Sequence, residues 1–84
     1  MISIVKDLAA EALFVSSLQP SECPSHYAVE QAVTAMLLLY GSDGCAAWVA
    51  SEFGDHPDGA VARMHWVHGE LTGVLAPRRA VVFH

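Results

Sequence analysis

The chain has 84 residues, 54% of them apolar and 15% charged, and its nine acidic and four basic residues give a formal charge of −5. That size makes one domain, 1–84, in which a single core is only marginally sufficient, while the apolar share excludes disorder. The charge sets the mean field against nucleic acid and anionic membranes, and so small and apolar a body is expected to share side chains with a second subunit or a partner.

A first helix is expected over about 4–18, where Val5, Leu8, Ala12 and Val15 recur at helical spacing and Ile4, Leu13 and Phe14 widen the stripe. Gln19-Pro20 ends it, because proline disfavours a helical residue before it. After Pro24, Ser25 is the expected cap of a second helix over 26–40, with Val29, Ala32, Val33, Met36, Leu37 and Tyr40 on one face and Gly41 as its stop. The closing turn from Met36 to Tyr40 is apolar all round. It is expected to centre the core, buried on more than one side or against another subunit.

Ser42-Asp43-Gly44 reads as a polar turn into a third helix, 44–53, that carries Cys45, Trp48, Val49 and Phe53 inward. Gly54 is expected to stop that helix in the left-handed conformation, with Asp55 capping the next and Pro57 in its first turn, where a missing N–H costs nothing. Asp58 places negative charge at the positive end of the dipole. The fourth helix, 56–72, has the stripe Ala60, Met64, Val67, Leu71 and Val74, with Trp66 among the small residues Gly59, Ala62, Gly69 and Gly73 on the neighbouring face. An irregular or extended tail, 76–84, follows Pro77. The expected fold is therefore all-α, a compact four-helix domain with a helix-turn-helix-like corner at 45–71.

Cys23 and Cys45 have no CxxC spacing, no secretory signal pattern opens the chain, and the longest apolar run is Ala35 to Tyr40. Reduced thiols in the cytoplasm and no membrane span are the corresponding expectations. The leading functional expectation is a non-enzymatic interaction or regulatory protein acting as a homodimer or partner-binding module, with Met36, Leu39, Tyr40, Trp66 and Val67 as contacts. Of the two tryptophans, Trp66 is the one expected at the interface, because its neighbours are small.

Two other classes compete. A helix-turn-helix DNA-binding regulator would use Arg63, helped by Arg78 and Arg79; the spacing of Ala50, Gly54 and Ala60 fits, but Asp55 stands where an apolar residue is usual, and Asp58 and Glu70 oppose phosphate. A metal-dependent protein or enzyme would use His65 and His68, three residues apart on one helix face, with Asp58 as a further ligand. Cys45 near a helix N-terminus is a candidate thiol nucleophile, though burial as a small apolar residue is the simpler expectation. No catalytic residue is assigned, and no cofactor signature is present.

The run GCAAWVASEFGDHPDGAVARMHW resembles short bacterial proteins of high-GC genomes that carry an EFGDHP turn, and the resemblance extends back through LFVSSLQPSE to cover most of 8–67. It implies a bacterial, cytosolic origin and brings no activity, cofactor or catalytic residue with it.

Overall fold

The structure, a computed structural model, describes residues 2–75, with side chains from Asp7 to Thr72. These residues form three α-helices, α1 (Ile2–Val15), α2 (His26–Asp55) and α3 (Pro57–Leu75), and a 3₁₀ turn over Pro20–Glu22. No strand occurs among the described residues. The all-α class is thus present, with three helices and not the four expected. The expected tail at 76–84, with Arg78 and Arg79, lies outside the described residues.

The helix count differs because the expected second and third helices are one element broken from within. Gly41 adopts φ 73° and ψ 169° inside α2, leaving 15 residues before it and 14 after it in an element of 30. Residues nine apart in a straight helix are separated by about 13–14 Å. Here the Cys45 thiol donates to the Met36 carbonyl at 3.8 Å, and the Tyr40 and Trp48 rings meet edge to face at 5.3 Å. The chain therefore turns back on itself at Gly41. Gly44 permits the close approach, since a Cβ there would stand 3.0 Å from that of Tyr40.

This reversal also bears on the membrane question. By length and composition alone α2 is long and apolar enough to cross a bilayer. Each arm, however, is shorter than the roughly 20 residues that a span requires.

α1 ends at Val15, earlier than expected. The Ser16 hydroxyl donates to the Leu13 carbonyl at 2.7 Å and its N–H to the same carbonyl at 3.1 Å, tightening the last turn. The connection is then braced by Glu22, whose carboxylate accepts from the Gln19 N–H at 2.7 Å, and Ser25 caps α2 by accepting from the Ala28 N–H at 3.1 Å, as expected.

α1 packs on both other helices. Leu13, Val29, Cys45, Val67 and Leu71 are the largest fully enclosed side chains, joined by Ala12, Phe14, Val49 and Ala60. Ala60, Val67 and Leu71 of the α3 stripe and Cys45 and Val49 of the second arm thus face inward, whereas Trp48, expected inward with them, is 41% exposed because nothing in the described chain covers its side of the helix. The closing turn of the first arm does not centre the core: Leu38 is 83% exposed and Leu39 66%, while Met36 and Leu37 are partly buried. The physical reason is that a helix shows only one side to α1, and nothing in the described chain covers the other.

The corner before α3 is also tighter than expected. Gly54 keeps negative φ and stays within α2, and Asp55 is the last residue of that helix, not the cap of the next. His56 alone forms the joint; its N–H donates to the Glu52 carbonyl at 2.7 Å and its carbonyl accepts from Ala60 at 2.8 Å. Pro57 opens α3 as expected.

Candidate functional site

Arg63 makes the most consequential polar contacts among the described side chains. α1 has no glycine stop and no basic residue in its last turn, so Ser16 serves the Leu13 carbonyl alone and those of Phe14 and Ser16 call for a donor from elsewhere. Arg63, from α3, supplies it. Nε donates to the Phe14 carbonyl at 2.6 Å, and Nη2 donates to the Ser16 carbonyl at 2.9 Å and to that of Leu13 at 3.4 Å. The guanidinium thus stands at the negative end of the α1 dipole, where a cation is favoured. It also lies 5.2 Å from the Trp66 ring centroid and 5.7 Å from that of Phe14, within cation–π range. Burial lowers the Arg63 pKa from its ordinary value, yet a guanidinium keeps its charge at any working pH.

An open cavity of about 410 Å³ lies beside this cap. The second arm of α2 lines it with Trp48 and Glu52, the joint with His56 four residues on, and α3 with Gly59, Ala60 and Arg63. Phe14 and the end of α1 close the floor. The Phe14 and Phe53 rings stack at 6.0 Å, holding α1 against the second arm.

The residues singled out from sequence fall into distinct places. Leu39 is exposed, Tyr40 is 42% exposed, and Met36 and Trp66 are partly buried. Val67 is corrected: it has no exposed surface within the single chain, because it sits on the inward stripe of α3, and it leaves the contact set. The more exposed tryptophan is Trp48, at 41%, since Arg63 lies over Trp66. Leu38 was missed; the uninterrupted apolar run through it was the available signal.

Arg63 does not project outward as a groove-reading residue would, its hydrogen bonds all going to main-chain carbonyls of α1 and the residue after it. The one-residue joint at His56 is also shorter than the three or four residues of a helix-turn-helix unit. His65, His68 and Asp58 are exposed, and among the described residues no three His, Cys, Asp or Glu side chains gather to hold a metal ion. Asp58 lies seven residues before His65, about 10 Å along the helix axis, which keeps it out of a shared coordination sphere.

Cys45 is fully enclosed, and burial, with the Glu11 carboxylate adding to it, pushes its thiol above the ordinary 9.0. A protonated, enclosed thiol is a poor nucleophile. Cys23, by contrast, is exposed. Ellman's reagent at neutral pH should therefore titrate one thiol in the native chain and the second only on unfolding; two rapidly reacting thiols would contradict the burial. The raised pKa has a linked effect. The native state holds the Cys45 proton longer than the unfolded state, so its contribution is complete below the unfolded-state pKa and is lost as pH climbs through the native one. Melting temperature should thus fall more steeply under alkaline conditions in the parent chain than in Cys45→Ala.

No family model, curated protein or solved structure matches the chain.

Proposed function

We propose that this chain is a non-enzymatic interaction module that works as a homodimer, joined through the outward face of the first arm of α2. The observation that carries this reading is the exposure of Leu38 and Leu39, 83% and 66%, at the end of an arm with no charged residue between Gln31 and Gly41. Tyr27, 70% exposed, extends the face, since residues 11 apart return to nearly the same side of a helix. Depletion of charge around aliphatic and aromatic anchors is the composition of an interface centre. Leu39 and Tyr40, exposed on that arm, remain in the proposed contact set, with Leu38 added; Met36 and Trp66, partly buried and packed against the core, leave it. Two free thiols fit a reducing, cytoplasmic setting.

Sedimentation equilibrium tests it. The chain of 9.0 kDa should sediment at twice that mass at micromolar concentration. Leu38→Glu with Leu39→Glu should raise the dissociation constant by about a hundredfold or more, since each buried leucine contributes about 1.5–3 kcal/mol. The helical signal should be unchanged, because both side chains lie outside the core. A parent chain that stays monomeric into the high micromolar range would remove the proposal.

A further inference from the structure

The cavity between the second arm of α2 and α3 combines features that packing alone does not require. Its size falls in the range of small-molecule sites, about 300–1,000 Å³. Two opposite charges line it, Glu52 from α2 and Arg63 from α3, and the hydrogen bonds of Arg63 go to main-chain carbonyls and not to Glu52. Of the five guanidinium N–H groups, the two on Nη1 take no part in those bonds. Trp48, 41% exposed, lines the same cavity, as does the buried Phe14.

Each simpler ligand fails on one of these features. A plain anion meets Arg63 but is opposed by Glu52. A plain cation meets Glu52 and Trp48 but is opposed by Arg63. A neutral apolar molecule strips water from both charges and returns no hydrogen bond to either. A molecule with both charges and an apolar body satisfies all of them.

We propose that this cavity binds a small zwitterion, a free α-amino acid with an aromatic or large apolar side chain, its carboxylate on Arg63 Nη1, its ammonium on Glu52 and its side chain against Trp48. Gly59 lines the cavity, and a Cβ built on it would meet nothing within 4 Å, so a side chain fits there without a clash. A larger residue there fills the site without disturbing the helix, and any side chain raises helix propensity over glycine.

The test is a titration followed in proton–nitrogen correlation spectra of the isotope-labelled chain, with L-phenylalanine, 3-phenylpropionate and phenethylamine as probes. L-phenylalanine should shift the Trp48 indole and Gly59 amide signals and saturate at about millimolar concentration. The probes lacking the ammonium or the carboxylate should each bind about tenfold more weakly or worse, for want of one charge-assisted hydrogen bond. Gly59→Leu should abolish the shifts in a chain whose spectrum remains folded. Glu52→Gln should weaken phenylalanine and strengthen phenylpropionate, a reversal that loss of structure does not produce and that decides the matter if Gly59→Leu misfolds. No saturating shift with L-phenylalanine at about 10 mM, equal binding of all three probes, or unchanged shifts in folded Gly59→Leu would each overturn the proposal.

Discussion

Arg63→Ala should destabilise the chain by about 2–3 kcal/mol and lower its melting temperature by about 10–20 °C, measured by circular dichroism. A hydrogen bond to a charged group contributes about 1.5–3 kcal/mol, and a cation at a helix C-terminus adds up to about 2. The three bonds share one guanidinium that keeps part of its surface in water, so these figures do not add in full. The loss has a second part: the carbonyls of Phe14 and Ser16 lose their donor, while that of Leu13 keeps Ser16, and the faces of Phe14 and Trp66 lose their cover. Arg63→Lys should recover only a minority of the effect, because an ammonium keeps the charge but lacks the planar fork that reaches three carbonyls. A change of under about 0.5 kcal/mol in Arg63→Ala, the size of an ordinary surface substitution, would show that the cap does not hold α1 in place.

The second large effect belongs to Gly41. At φ 73° and ψ 169° it occupies a region essentially restricted to glycine, and since a Cβ there meets nothing within 4 Å, the penalty for a side chain is one of backbone alone. Gly41→Ala should cost about 2–4 kcal/mol, combining that strain with alanine's preference of about 1 kcal/mol for a continuous helix. The same substitution favours a straightened α2, which would part Cys45 from Met36 and draw the second arm off the core. A chemically synthesised chain with D-alanine at this position provides the control. For a D-residue these angles mirror ordinary extended backbone, so melting temperature should be kept or raised, through a less flexible unfolded chain. Equal losses with the two enantiomers would contradict a role for backbone conformation here.

Much of this fold was legible from periodicity. The inward positions Ala60, Val67 and Leu71 of α3 and Cys45 and Val49 of the second arm follow directly from apolar spacing, because a helix with one apolar side has one way to bury it; Trp48, at the edge of that side, does not. Pro57 and Ser25 likewise announce the starts of their helices through local chemistry. Gly41 and Gly54 look alike as helix-ending glycines, yet only Gly41 has positive φ. What separates them is tertiary: the first arm must fold back to bring Cys45 and Val49 onto α1, whereas α3 can start one residue after α2 ends.

The candidate site was less legible still. Arg63 lies 49 residues from the Phe14 carbonyl that it caps. Neither sequence around these residues signals the pairing, so the sole basic residue of the fourth expected helix reads as an outward-projecting contact for DNA. The absence of a stop signal at the end of α1 was the available clue, since unpaired carbonyls require a donor from somewhere. Leu38 and Leu39 illustrate the opposite error: an apolar turn suggests burial, and where the chain itself offers no second surface, exposure follows.

The central claim is that the uncovered face of the first α2 arm meets a second copy of the chain, and mixed labelling tests it most directly. In an equimolar mixture of isotope-labelled and unlabelled chains, filtered NOE spectra should show cross-peaks between chains from the Leu38 and Leu39 methyl groups to the rings of Tyr27 or Tyr40. An absence of intermolecular cross-peaks at millimolar concentration, or their confinement to a different face such as that of Val61, would contradict it.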